Sequence, residues 1–176
     1  MILVNSMFHY IVTRDQDLMV RLNRWRAPRW IRIWMICATR GGDGWLWYAM
    51  GLIIALFGGA DRYVALGKAG LAAAVGVILF LNIKRAINRR RPSALEPHCW
   101  ARLLPPDQFS FPSGHTITAF AIALPLGLYY PTLLSGLIFC ACSIALSRIL
   151  LGLHFLTDVI AGCAIGLLAG YAAYLI

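Results

Sequence analysis

Acidic side chains are scarce in this chain: 176 residues hold 7 Asp and Glu against 16 Lys and Arg, a formal net charge of +9. Carboxylates this few leave no visible ligand set for magnesium or calcium, which need several oxygen donors at one place. Cysteine does not fill the gap, because Cys37, Cys99, Cys140, Cys142 and Cys163 show no zinc spacing, and their odd number without a pairing pattern argues against a disulfide framework. No cofactor or metal is therefore expected. Charge of either sign is rare, at 13% of residues against 60% apolar, which excludes an ordinary soluble domain. The opening MILVNSMFHY lacks a basic start, a sufficient apolar run and a small-residue cleavage site, so a removable signal peptide is not expected. Neither a repeat nor a low-complexity linker divides the sequence, and a single domain over 1–176 is expected. The basic excess is not interleaved with aromatic residues on a polar scaffold. It points away from nucleic acid and toward a membrane surface or a phosphate-bearing substrate.

What the chain does have is long apolar runs, at 45–59, 63–83, 116–130, 132–146 and 155–176. A helix needs about 20 residues to cross a hydrocarbon core of roughly 30 Å, so the shorter runs must borrow flanking residues or sit in a thin bundle. The fold expected is all-α, an integral membrane bundle of about five transmembrane helices over 45–176, preceded by an amphipathic interfacial segment over 1–44. Within that segment Ile31, Trp34, Met35 and Ala38 recur at helical spacing with Arg29 and Arg32 off the stripe. That pattern suits a helix lying in the membrane interface, and equally one that packs on the bundle. RGGDG, residues 40–44, then turns the chain into the first span. Gly70, Ala74, Gly162, Gly166 and Gly170 are read as helix-packing positions, and Pro125 as a kink in its helix.

Three polar islands interrupt the apolar text. KRAINRRRP, residues 84–92, carries Lys84 and Arg91 about two helical turns apart, with Pro92 ending the helix at Arg91. The two cations could grip an oxyanion, or belong with Arg85, Arg89 and Arg90 to a juxtamembrane cluster facing anionic lipid. PSGH, residues 112–115, opens an apolar helix. Ser113 and Gly114 at that N-terminus make an anion site from free amides and the helix dipole, with His115 beside it, or else form a plain helix cap. SRILLGLHFLTD, residues 147–158, places Arg148 before His154 and Asp158 four residues after it. Asp158 could accept the Nδ1 proton of His154 and leave Nε2 free to attack, or the pair could be structural. If the spans alternate in direction, all three islands reach one membrane face. Together they offer three cations, backbone donors, one histidine to attack and another to protonate, which amounts to metal-free phosphoryl transfer.

Lys, six residues and Arg-Pro, then Pro-Ser-Gly-His, then Ser-Arg, five residues, His, three residues and Asp, stand complete and in order across residues 84–158. In this the chain resembles the type 2 phosphatidic acid phosphatase superfamily, and ATRGGDG with the flanking helices is similar to its small bacterial members. The resemblance implies a helical membrane bundle in which His154, oriented by Asp158, forms a phosphohistidine. It further implies that His115 protonates the leaving oxygen, while Lys84, Arg91, Ser113, Gly114 and Arg148 hold the phosphoryl oxygens.

The function expected is removal of a terminal phosphate from a membrane lipid: a polyprenyl phosphate or pyrophosphate, a prenyl-linked sugar phosphate, phosphatidylglycerophosphate or phosphatidate. A lipid phosphotransferase of the same superfamily and a non-catalytic membrane protein that binds or transports phospholipid are the alternatives. A vanadium haloperoxidase, from the same superfamily, is disfavoured by the apolar spans. The expected location is a bacterial plasma membrane, crossed several times. All of the 16 Lys and Arg except Arg62 and Lys68 fall on the motif face, which by the positive-inside rule is cytoplasmic. Cys99, in the motif loop, is the natural reporter of that sidedness. The motifs leave the oligomeric state open.

Overall fold

The computed structural model describes residues 2–92 and 108–176, and Cys99 lies outside the described residues. Helices follow one another as α1 (Ile2–Arg24), α2 (Arg29–Arg40), α3 (Leu46–Phe57), α4 (Arg62–Ile87), α5 (Gly114–Tyr129), α6 (Pro131–Leu150) and α7 (Leu156–Leu175). The fold is an all-α membrane bundle. Of its helices α4, α6 and α7 are long and apolar enough to cross a membrane, with 26, 20 and 20 residues, whereas α5 is a shorter apolar helix. The 12 residues of α3 span only about 18 Å at a rise of 1.5 Å each, well short of a roughly 30 Å core. Side chains such as Val64, Leu71 and Ile78 on α4 and Ile160 and Leu168 on α7 face outward, as a lipid-facing surface requires.

The segment before residue 45 divides into two helices. On α2 the inner stripe packs: Met35 is fully buried in a cluster with Leu150, Leu151 and Leu153, and Trp34 stacks on Phe139 at 5.8 Å. Trp30 and Ile33 remain exposed on its outer side with Arg29 and Arg32. The apolar stripe is thus a packing face on the bundle, and the basic side of the helix is its exposed side. A wide turn, Gly41–Trp45, follows, in which Gly44 takes φ 123°, a conformation that only glycine adopts readily.

The centre of the bundle is α5, packed between α4, α6 and α7. Its close approach to α7 depends on the stripe Gly162, Gly166 and Gly170. A Cβ at Gly166 would lie 2.5 Å from the Ile117 carbonyl oxygen, and one at Gly162 2.8 Å from that of Ser113. Pro125 sits inside α5, which continues as helix past it. Gly70 and Ala74 are not packing positions: both are exposed, and the buried stripe of α4 is Ala65, Ala69, Ala72 and Gly76. Small residues recur so often in α4 that composition alone does not select the face. Gly166→Ala is expected to destabilise the protein by about 1–3 kcal/mol through overpacking, whereas Gly70→Ala, with nothing within 4 Å of its added carbon, leaves the melting temperature unchanged. Thermal unfolding of the two variants in detergent measures the contrast.

Candidate active site

The third island is built by the way α6 ends. Past its last turn Gly152 takes φ 68°, and the Arg148 carbonyl accepts the amides of both Leu153 and His154, each at 3.0 Å. The five residues between Arg148 and His154 are a helix terminus that folds back on itself. His154 is buried, and its Nδ1 lies 2.6 Å from the Ser110 carbonyl. A carbonyl only accepts, so Nδ1 carries the proton and Nε2 of the neutral ring keeps its lone pair. Asp158 does not hold this proton: its Oδ2 is 3.7 Å from Nδ1. That carboxylate is fully buried and accepts the Phe155 amide at 2.8 Å, closing the first turn of α7, and Arg89 at 2.7 Å.

The first island departs from a continuous helix. α4 stops at Ile87, with Asn88 left-handed at φ 51° and its amide on the Lys84 carbonyl, so Lys84 and Arg91 do not share a helical face. Asn tolerates that conformation, and it ends the helix before Pro92 can. Residues 89–91 run extended instead, pinned by the Arg90 to Phe109 bridge and by the Ser110 amide donating to the Arg89 carbonyl at 2.7 Å. This pairing sets the Ser110 carbonyl against His154 and turns Arg91 inward. Arg91 Nη1 donates to the Leu153 carbonyl at 2.6 Å and sits 3.1 Å from His154 Nε2. Lys84 stays on α4 with its ammonium 4.8 Å from the centre of the Phe80 ring.

Arg89 does not face lipid headgroups as its basic neighbourhood suggests. It lies between two buried carboxylates, donating to Asp158 at 2.7 Å and to Asp15 of α1 at 2.8 Å, with its guanidinium 4.0 Å above the Phe155 ring. Thr157 completes the group, its hydroxyl on Asp15.

In the second island Ser113 caps α5 with extended backbone, and its hydroxyl pairs with Thr116 at 2.9 Å, so it is buried behind the site. Gly114 packs on Phe80, where an added Cβ would meet the ring at 3.2 Å. His115 Nε2 is 2.7 Å from Asp43 Oδ1. A pocket of about 350 Å³ is lined by Arg91, Gly114, His115, Arg148, His154 and Asp43, with Phe80 on its wall. Lys84, Ser113 and Asp158 do not line this pocket. Arg148 is itself buried and donates to Thr39 of α2. Burial, aided by the Arg148 and Arg91 charges and opposed by Asp158, pushes His154 down to about 4, so its ring is neutral at physiological pH.

Five residues of the surroundings are absent from the motif reading: Asp15, Thr39, Asp43, Arg89 and Ser110. The signal available for the acids was their rarity, since a chain with 7 carboxylates that spends two of them, Asp15 and Asp158, inside a bundle must pair them.

A family model described as the PAP2 superfamily matches residues 65–176, which hold all three islands. The chain belongs to the PAP2 superfamily. It is 35% identical over 148 residues, 77% of each chain, to a decaprenylphosphoryl-5-phosphoribose phosphatase of Mycobacterium tuberculosis. The crystal structure of Aquifex aeolicus LpxE superposes with a TM-score of 0.77 at 28% identity, covering 91% of this chain and 94% of that one. A PAP2 type phosphatidylglycerolphosphate phosphatase of Bacillus subtilis gives 0.71 at 26% identity, covering 93% and 84%. This PAP2 protein is a phosphatase, and its membrane fold is theirs. Arg89→Ala leaves two buried carboxylates without their cation. The expected loss is about 3–5 kcal/mol of stability, read as a lowered melting temperature in detergent, while Arg90→Ala, an exposed position in the same extended segment, changes it little.

Proposed function

We propose that this PAP2 phosphatase removes a terminal phosphate from a membrane lipid through a phosphohistidine on His154. The observation that carries the reading is the fixed tautomer of His154: Nδ1–H on the Ser110 carbonyl and the Nε2 lone pair in a pocket shared with Arg91, Arg148 and His115. A dianionic phosphoryl group entering this pocket meets two guanidinium groups and the amino end of α5, whose first-turn amides have no acceptor within the helix. Arg91, held near Nε2 before substrate binds, turns its hydrogen bonds to phosphoryl oxygen and uncovers the lone pair. His154 Nε2 then forms a bond to phosphorus as the P–O bond to the lipid breaks, and His115 gives its proton to the leaving oxygen. Water, deprotonated by His115, next attacks phosphorus, the P–N bond breaks, and inorganic phosphate and the original His154 are restored. Charge on the transferring group is stabilised by Lys84, Arg91 and Arg148 with the amides around Ser113 and Gly114. Asp158 acts on His154 at one remove, by holding the Phe155 amide and Arg89.

A lipid substrate is supported by a second cavity of about 430 Å³ that shares Gly42, Asp43 and Thr118 with the first and runs along Leu66, Ala69, Ile122 and Leu126. Its wall suits an acyl or prenyl chain. The relatives named above act on a prenyl-linked sugar phosphate and on phosphatidylglycerolphosphate, and both substrate types are carried over here as candidates. The positive-inside bias of the sequence supports a site on the cytoplasmic face of a bacterial plasma membrane.

The purified protein in detergent, with chelator present, is expected to release phosphate from prenyl or glycerolipid phosphates, and His154→Ala to abolish release. Comparable turnover by His154→Ala would remove the nucleophile assignment. In the wild type the acid limb of kcat/KM, corrected for ionisation of the substrate, is expected near pH 4 rather than at the ordinary histidine value, because His154 loses its lone pair only below that pH.

A further inference from the structure

The RGGDG turn is the one sequence feature that the phosphoryl-transfer reading leaves without chemical work, yet it delivers a carboxylate to the site. Asp43 reaches His115 across 72 residues of sequence, Oδ1 to Nε2 at 2.7 Å. A carboxylate in its ionised form only accepts, so the ring's Nε2 carries a proton here. The glycines make the approach possible. Gly44 turns the backbone at φ 123°, and a Cβ at Gly42 would stand 3.2 Å from His115 Cδ2 and 2.9 Å from Ile144. The Cδ2 and Nε2 edge of the ring is thus laid against the turn. Nδ1 sits on the ring's other edge.

The charges facing His115 otherwise oppose its cationic form. Arg148 from α6 and Arg91 from the extended segment after α4 share its pocket, together with the neutral His154. Asp43 is the anion set against them, and Arg40 lies 3.6 Å from its second oxygen.

We propose that Asp43 is a positioning residue for the acid: it fixes Nε2–H of His115 and stabilises the imidazolium, so that Nδ1 is the nitrogen that gives its proton to the leaving oxygen. The assignment rests on the reading of His115 as the general acid. Proton balance is simple. Imidazolium loses the Nδ1 proton as the P–O bond breaks, the neutral ring keeps Nε2–H on Asp43, and Nδ1 regains a proton from the water that attacks the phosphohistidine.

A group that acts through the acid matters most where the leaving oxygen is most basic. Asp43→Asn keeps the size and one hydrogen bond but removes the charge. In the full-length protein in detergent, it is expected to lose on the order of 10²-fold in turnover of a glycerolipid monophosphate, whose leaving group is an alkoxide, toward the low end of general acid contributions. The loss with p-nitrophenyl phosphate, whose leaving group needs little protonation, is expected to be less than about tenfold. The alkaline limb of the pH profile should move to lower pH, because loss of the carboxylate makes the imidazolium easier to deprotonate. Asp43→Glu should recover part of the rate. Added to His115→Ala, Asp43→Asn should lower turnover no further, since two residues acting as a unit are not additive. An equal loss with both substrates and an unmoved alkaline limb would reduce Asp43 to a turn residue. A further loss in the His115→Ala background would place its action elsewhere. If His115→Ala itself affects both substrates equally, the acid reading fails and this proposal falls with it, whereas a leaving-group effect in His115→Ala that Asp43→Asn lacks overturns the positioning role alone.

Discussion

The bridge from Asp15 through Arg89 to Asp158 is the interaction on which the site depends. An ionised carboxylate buried in a helical bundle is tolerated only where a cation and further donors satisfy it. Asp158 is fully buried at the start of α7, and Arg89, the Phe155 amide and the backbone around Ser113 surround it. Meeting that requirement fixes three other things. The chain after α4 must leave its helix and lie beside residues 108–110, α1 must dock so that Asp15 takes the second face of the guanidinium, and the Phe155 ring must lie flat beneath it. The amino-terminal helix is in this sense part of the site, although none of its described side chains lines the pocket.

Each island is then the end of a helix, and its spacing is the geometry of that end. The five residues between Arg148 and His154 are those needed for a left-handed glycine to turn two amides back onto one carbonyl. The Pro-Ser-Gly-His run is an N-terminus with no side chain on Gly114 to separate it from Phe80. The run from Lys84 to Arg91 is a helix stop, a left-handed asparagine and an extended tripeptide. Helix ends leave backbone groups unpaired, and a bundle that gathers several ends at one level concentrates those groups where a phosphate can use them.

The apolar runs and the three islands were legible because both are local. Length, hydropathy and motif spacing depend on residues near one another in sequence, and the helices found over all five apolar runs follow from that. What was illegible is what crosses the chain. Asp15 meets Thr157 over 142 residues, Arg89 meets Asp158 over 69, and Ser110 meets His154 over 44. No periodicity reports such contacts. Local reasoning also misled where two local rules competed. Pro92 was a sufficient reason to end a helix, but Asn88 ended it earlier, and the i, i+4 spacing of His154 and Asp158 suggested a hydrogen bond that the backbone of Ser110 takes instead.

The two histidines illustrate how one pocket can give the same side chain two different hydrogen-bond acceptors. Both rings stand near Arg91 and Arg148, so neither is favoured as a cation by the charges they share. The difference lies in the acceptor each is given. His154 donates to a backbone carbonyl, which fixes a tautomer without adding a full negative charge, and deep burial holds the ring neutral. His115 faces a carboxylate at the more open end of the pocket, whose full charge opposes the burial and the arginine charges that act against the ring's cation. In the proposed reaction the nucleophile must be neutral while the acid is charged, and the Asp43 carboxylate acts toward that difference. Which ring receives a backbone carbonyl and which a carboxylate is set by contacts that cross the chain, Ser110 to His154 and Asp43 to His115.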